Sequence, residues 1–292
     1  MQLLDGKLAS MAILQSLTTQ TQQQIVANKR VPHLAAILVG SNPASETYIH
    51  AKVKMCDTIG FKSSLFQLKE NTTEQDLLNI ITDLNNNVDI DGILVQLPLP
   101  KHISQQKIIA RIAEQKDVDG FHPTNVGKMI QGTPTFVSAT PYGIMLLLEY
   151  YKINTKGKHA VVLGRSNIVG RPISILLSSN HIYGNCTVTI CHQYSTQTKK
   201  ICAHADIVVT AVGQPGLVTA DMIKEGAVVI DVGIVRVPDA NKKNGFVIKG
   251  DVDFDHVKLK TSYISPVPGG VGPMTIAALM MNTWKAYQQR IV

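Results

Sequence analysis

The chain has 292 residues, 45% of them hydrophobic and 17% charged, with a formal net charge of +7. That size and balance suit one large or two medium globular domains with ample core. No apolar run approaches the ~20 residues needed to span a bilayer, and no basic segment leading into an apolar one opens the chain, so a cytoplasmic location is expected over secretion or membrane insertion.

The basic residues are scattered, with no run longer than pairs such as Lys199-Lys200 and Lys242-Lys243, and aromatics make up 5% of the chain. This argues against a nucleic-acid surface and fits small anionic ligands. Cys56, Cys186, Cys191 and Cys202 include no Cys-x-x-Cys pair. Buried thiols in a reducing compartment are expected, and no metal site.

In chain order, residues 5–29 carry helical spacing, with Leu8, Met11, Ala12, Ile25 and Val26 on the apolar side. Leu34 to Gly40 reads as a buried strand ended by glycine. Ser41-Asn42-Pro43 then starts a helix running to Ile59, with Gly60 as its C-cap. Tyr48 and Lys52 lie four apart on that helix and so share a face, a phenol beside an ammonium. A packed Tyr beside a solvated Lys would give the same pattern. Tyr-x-x-x-Lys also marks short-chain dehydrogenases, but there it follows the glycine turn. Here it precedes that turn by more than a hundred residues, so the order is wrong.

Phe61 to Leu68 reads as a strand and Thr73 to Asn85 as a helix. Asp91 to Gln96 is the next strand, stopped by the prolines of Leu97-Pro98-Leu99-Pro100. Gln96 therefore sits at the carboxyl end of a strand, where alternating α/β folds place ligands, although a turn hydrogen bond would also account for it. Lys116-Asp117-Val118-Asp119-Gly120-Phe121 follows a short helix. Its two acids could be caps, and one carboxylate could accept paired N–H groups from a guanidine-like edge.

Thr140 and Pro141 are placed at the N-cap and first position of a helix through Tyr151, with a domain boundary there. Strands at 159–163, 187–191, 206–210 and 227–231 then alternate with helices at 169–180, 196–203 and 219–224, the pattern of a parallel sheet. After the first of these strands comes Gly164-Arg165-Ser166-Asn167-Ile168-Val169-Gly170-Arg171-Pro172. A strand, a glycine turn and a helix start make a phosphate site, although Ser166 replaces the usual second glycine and Gly170 comes one step late. The following strand ends in Cys191-His192, with no acid to hold a ribose 2′-hydroxyl. With Arg165 in the turn, that favours NADP. Loops 211–216 and 231–234 each place a glycine just after a strand. Pro266 to Thr275 forms a stiff, side-chain-poor loop before a final helix, Met274 to Gln288, with Pro273 at its first position.

Together these segments resemble the bifunctional methylenetetrahydrofolate dehydrogenase/methenyltetrahydrofolate cyclohydrolase family, over nearly the whole chain. The resemblance rests on five motifs in family order: Tyr48-x-x-x-Lys52, Val95 to Pro100, Lys116 to Phe121, Gly164 to Pro172 and Pro266 to Thr275. It implies an α/β fold of two α/β domains flanking a cleft, the second a Rossmann-type parallel sheet binding NADP. Residues 1–140 with a C-terminal helix at 273–292 would form the folate-binding catalytic domain, and 141–272 the NADP domain.

It further implies oxidation of 5,10-methylenetetrahydrofolate by NADP⁺, then hydrolysis of the methenyl product to 10-formyltetrahydrofolate. These one-carbon units would supply purine, methionine and histidine biosynthesis. By the resemblance, Lys52 is the acid/base, Gln96 tunes it, Tyr48 orients the folate and Asp119 grips the pterin edge. Pro268 and Gly269 line the same pocket, and Gly164, Arg165, Ser166 and Ile234 contact NADP. A homodimer through the nucleotide domain is also implied.

The chain departs from the family at Ala139, where Cys is frequent, and at Gln193-Tyr194-Ser195, where Ser-x-Thr often helps hold the 2′-phosphate. Two other readings fit the bare residues. One is a shikimate-type NADP dehydrogenase with a Lys–Asp pair; the other is a nucleotide sensor without turnover.

Overall fold

The computed structural model describes residues 1–133, 135–242 and 245–290. Along the chain come β1 (Gln2–Leu3), α1 (Gly6–Val26), β2 (His33–Val39), α2 (Pro43–Ile59), β3 (Lys62–Leu68), α3 (Glu74–Asn86) and β4 (Gly92–Val95). They are followed by α4 (Gln105–Arg111), a 3₁₀ turn (Glu114–Lys116), α5 (Pro123–Gln131) and α6 (Ala139–Tyr150). Next are β5 (His159–Leu163), α7 (Gly170–Ser178), β6 (Thr187–Cys191), α8 (Thr198–Cys202), β7 (Ile207–Thr210), a 3₁₀ turn (Ala220–Met222) and β8 (Val228–Asp231). The chain closes with β9 (Val235–Pro238), β10 (Phe246–Lys249), α9 (Phe254–Val257), β11 (Tyr263–Ile264) and α10 (Val271–Gln288).

Two compact units result. One comprises Ala12–Ala139 with Ile276–Val292, and the other Met1–Met11 with Thr140–Thr275. The first is built on the parallel sheet β3-β2-β4. The run Leu34-Ala35-Ala36-Ile37-Leu38-Val39 is apolar at every position because β2 is central and buried on both faces. Ala35, Ile37 and Val39 pack with Leu77, Ile81 and Leu84 of α3 and with Ile93 and Val95 of β4. The outgoing chain turns at Gly40 (φ 83), and α2 opens with the Asn42 side chain accepting from the Ala44 and Ser45 amides at 3.0 and 3.1 Å. Gly60 (φ 82) closes α2 in the left-handed conformation that a glycine C-cap supplies. The end of α10 packs on this unit, with Trp284 stacked on Phe61 and the Tyr287 hydroxyl donating to Arg30 O at 2.6 Å.

The second unit carries a six-stranded parallel sheet, β1-β11-β8-β7-β5-β6, with the hairpin β9–β10 paired separately. Val161, Leu163, Val208 and Val229 form its core with Val218, Val257 and Ile264. From β5 the chain steps outward to β6 and then returns to the other side as β7. The strand order therefore reverses between β5 and β7, which is where open α/β sheets bind ligands.

Several expectations are corrected. On α1, Leu8, Met11, Ala12, Ile25 and Val26 are exposed, while Ala9, Ser10, Leu17 and Thr21 are buried. Small side chains let this helix pack closely: a Cβ built on Gly60 would lie 3.1 Å from the Thr21 methyl. Helix α6 starts at Ala139, so Thr140 is inside it, with its hydroxyl 3.2 Å from that of Thr275. Helix α10 starts at Val271, which puts Pro273 in its first turn, where the missing N–H would have had no intrahelical partner. In place of the helix expected at 219–224 there is only the 3₁₀ turn. All four cysteines are free thiols and buried.

Candidate active site and cofactor turn

In the unit built on β2, the carboxyl end of β4 delivers Gln96, whose backbone N–H donates to Ile37 O at 2.9 Å. The strand order reverses between β2 and β4, so Gln96 stands at this sheet's own switch point. Helix α2 leaves the same edge and carries Lys52 back over it. Lys52 is 9% exposed, and its Nζ donates to Gln96 Oε1 at 3.2 Å. The other end of the Gln96 amide donates to Leu97 O at 2.8 Å. That bond fixes the amide so that its carbonyl, not its NH₂, meets the ammonium. Tyr48, one turn before Lys52, is 36% exposed. The Leu97–Pro98 peptide that follows is cis.

The segment 116–121 divides its charges between support and site. Lys116 is almost fully buried and spends its three protons on Leu84 O, Asn85 O and Asn87 O at 2.7–2.8 Å, closing the end of α3. Burial, with repulsion from Arg290, pulls its ammonium down to about 8. Asp117, also buried, accepts from Phe121 N (3.2 Å), His122 N (2.7 Å) and Asn125 Nδ2 (2.8 Å). It is the acid spent on structure, holding the turn that leads into α5, whose N-cap is His122.

Asp119 is only partly buried, and among the described residues no hydrogen bond to its carboxylate is found. Burial pushes this carboxyl up to about 6; the Lys52 charge opposes the rise and Asp117 adds to it. Lys52, Gln96 and Asp119 thus belong to one electrostatic neighbourhood.

Its shape is held from below. Gly92 lets Val118 settle on β4: a Cβ there would lie 2.7 Å from Val118 Cγ1. Gly120 (φ 70) is pressed against 137–138, where a Cβ would meet Ser138 N at 2.5 Å. Asn282 of α10, 2% exposed, donates to Val118 O (2.8 Å) and Val137 O (2.9 Å), tying these two strips together beside Asp119. The sequence reading missed Asn282. Its signal was a single amide in the apolar stretch 276–284.

In the other unit, the turn after β5 begins at Gly164 (φ 112), where a Cβ would stand 2.6 Å from Ala211 O. Gly170 opens α7 just as tightly, 2.3 Å from Gly164 O by the same measure. Ser166 Oγ accepts from Val169 N (3.1 Å) and Gly170 N (3.3 Å), which leaves its proton to donate to an anion at the helix start. Arg165 is exposed and lies over the Tyr194 ring, 5.8 Å from its centroid. Ser195 turns its hydroxyl to accept from His192 N at 2.9 Å.

Ile234, 45% exposed, follows the loop after β8. The Val267–Pro268 peptide is cis, and Gly269 O accepts from Gly6 N (3.0 Å) and Lys7 N (3.2 Å). A cavity of about 280 Å³ opens at the amino ends of β5, β7 and β8 beside Lys158, Asp206 and Lys224, and none of the predicted site residues lines it. Among the described residues no cluster of three or more His, Cys, Asp or Glu could hold a metal ion.

A glycine turn packed into the switch point of a parallel sheet, joined in one chain to a second α/β unit bearing a buried lysine, defines a nucleotide-dependent enzyme of two α/β units. Residues 4–119 match the catalytic domain of tetrahydrofolate dehydrogenase/cyclohydrolase, and residues 138–291 match its NAD(P)-binding domain. The chain is 56% identical to the bifunctional protein FolD of Cytophaga hutchinsonii, over 98% of this chain and 99% of that one. Among solved structures, the bifunctional FolD methylenetetrahydrofolate dehydrogenase/cyclohydrolase of Campylobacter jejuni superposes with a TM-score of 0.93 at 46% identity, covering 99% of each chain. The Trypanosoma brucei enzyme, solved with NADP and an inhibitor, gives 0.93 at 36% identity over 98% of this chain and 97% of that one. The chain belongs to the tetrahydrofolate dehydrogenase/cyclohydrolase family.

Proposed function

We propose that this chain oxidises 5,10-methylenetetrahydrofolate with NADP⁺ and hydrolyses the resulting 5,10-methenyl compound to 10-formyltetrahydrofolate. The observation that carries the reading is the buried Lys52 ammonium on Gln96, with the Asp119 carboxyl within its field, in a member of this family.

The first step removes a hydride from an N–CH₂–N carbon and leaves an amidinium-like cation. No hydroxyl proton is released, so the step chiefly requires positioning. NADP⁺, when bound, accepts that hydride. The residues around its turn suit it: Gly164 and Gly170 leave no room for side chains where phosphates approach, the amides and Ser166 at the start of α7 favour an anion, and Arg165 offers a planar fork to a 2′-phosphate. Ile234 completes the cofactor contacts in this reading.

The second step needs proton traffic. Water adds to the cationic carbon, and its oxygen gives up both protons as it becomes the formyl carbonyl: one reaches N5 as the N5–carbon bond breaks, and the other is released to solvent. Lys52 handles both protons, and Gln96 keeps its Nζ aimed. Asp119 binds the pterin edge, where paired N–H groups match a carboxylate. Tyr48 orients the folate rings, and Pro268 and Gly269 are further substrate contacts. On this assignment the unit built on β2 binds folate and the unit built on β5 binds NADP.

The formyl product is an activated one-carbon donor, which supports a role in purine, methionine and histidine biosynthesis. The same reading carries a cytoplasmic homodimer formed through the nucleotide unit. Among the described residues no helix is long and apolar enough to cross a membrane.

The test is to follow methenyl-folate absorbance as it forms from methylenetetrahydrofolate and NADP⁺, and then as it decays. Lys52→Met is expected to lower the decay by ~10²–10⁴-fold, the range for a positioned acid/base, while folate still binds. Decay at the wild-type rate would remove Lys52 from the mechanism. Reduction of a carbonyl substrate with no decay phase would favour a shikimate-type dehydrogenase, and binding of NADP⁺ without turnover a sensor.

A further inference from the structure

The nucleotide unit buries two carboxylates that neither reaction uses. Asp251 is 0% exposed and Asp231 4%. Asp251 Oδ2 accepts from Thr210 Oγ1 (3.0 Å) and Val212 N (2.8 Å), and Oδ1 from Gln214 N (2.8 Å). Its own backbone N–H donates to Asp231 Oδ1 at 3.0 Å. Asp231 also accepts from Gly233 N (2.9 Å) and Val252 N (3.0 Å). A buried carboxylate is tolerated where fixed donors replace water, and each of these has three.

The chain makes room for them. A Cβ on Gly233 would lie 2.4 Å from Asp251 Oδ1, and one on Gly250 would lie 2.0 Å from Asp231 Oδ2. Glycine at both positions lets backbone close directly onto a charge.

What they hold is the edge where a dinucleotide belongs. Asp251 grips the loop after β7, and Ala211 of that loop is the wall against which Gly164 is packed. Ala211 N also donates to Leu163 O at 2.9 Å, so loop and glycine turn share one framework. Asp231 fixes Gly233, and Ile234 follows directly. Both loops leave the carboxyl ends of strands adjoining the β5/β7 switch point.

We infer that Asp251 is a positioning residue for the dinucleotide: through three side-chain hydrogen bonds and its link to Asp231, it sets the loops after β7 and β8 as one rigid frame beside the glycine turn. The inference rests on the NADP reading of this unit. It adds a residue far along the chain, which itself touches no cofactor, to the set that determines cofactor affinity.

Full-length Asp251→Asn and Thr210→Val provide the test. The asparagine turns an NH₂ toward amides that need an acceptor, whereas the valine keeps its shape and removes one donor. Three quantities are read: KM for NADP⁺ in the dehydrogenase reaction, NADP⁺ affinity by calorimetry, and hydrolysis of the methenyl compound without nucleotide. Asp251→Asn is expected to raise KM and Kd for NADP⁺ about tenfold or more, and Thr210→Val severalfold, with hydrolysis within about twofold of wild type.

Equal losses in the nucleotide and hydrolysis readouts would overturn the inference in favour of general structural support. Unchanged NADP⁺ affinity in folded Asp251→Asn would overturn it outright. If that variant does not fold, Thr210→Val decides by the same comparison. Wild-type protein that fails to bind NADP⁺ would instead overturn the cofactor reading itself.

Discussion

Asp119→Asn isolates the cost of the carboxylate that the proposed reading assigns to the pterin edge. In the folded chain this carboxyl is displaced from its ordinary 3.8 up to about 6, chiefly by burial and in spite of Lys52. An acid raised in this way stabilises the folded state at low pH, in its neutral form, and that contribution is lost as pH climbs from about 4 through about 6. At 1.36 kcal/mol per decade, the penalty is at most about 3 kcal/mol well above both values, and less to the extent that water reaches this partly buried carboxyl, with about half of it present at pH ~5. Asparagine preserves the shape without the charge. Urea titrations of ligand-free wild type and variant should therefore coincide near pH ~4, with the variant more stable by about 1–3 kcal/mol at pH ~8. On the proposed assignment both folate reactions should fail in the same variant, because a neutral amide cannot pair with the pterin edge as the carboxylate would. A gap that does not widen with pH, or a variant less stable at high pH, would refute this account of Asp119.

Arg165→Ala should raise KM for NADP⁺ by ~10-fold or more and leave the weaker use of NAD⁺ nearly unchanged. Parallel losses in steady-state assays with the two nucleotides would mean that the guanidinium does not read the phosphate. Asn282→Leu removes two buried donors, so Val118 O and Val137 O lose their partners and stability should fall by about 2–4 kcal/mol. KM for folate should rise more than KM for NADP⁺, because the freed strip carries Asp119, and equal changes in the two would count against that link.

The regular elements were legible wherever one physical signal dominated. β2 and β5 are apolar because they are buried on both faces, and α2 is bracketed by Asn42 and Gly60, whose cap geometries follow from residue type. Two-residue strands such as β1 and β11 carry no period to read, and their parallel pairing joins ends of the chain far apart in sequence. The buried face of α1 was misread because it packs through Ala9, Ser10 and Thr21, whereas hydrophobicity alone marked Leu8 and Met11. In the site, Lys52 stood out by its spacing from Tyr48 and Gln96 by its place at the carboxyl end of a strand, while their partnership was implied by the family resemblance. Asn282 and Asp251 could not. Asn282 reaches Val118 across 164 positions and Asp251 reaches Thr210 across 41, and no local pattern records such pairings.

Each unit is sewn from an early and a late part of the chain, Met1–Met11 with Thr140–Thr275 and Ala12–Ala139 with Ile276–Val292. During synthesis the opening residues wait for a partner that has not yet been made. The loop bearing Asp119 stays unbraced until Asn282 has cleared the ribosome. A chain cut between β11 and Asn282 would keep every strand of the nucleotide sheet while the loop bearing Asp119 lacked its brace. On the proposed assignment, termination there should yield a protein that recognises pyridine nucleotides but cannot process one-carbon units.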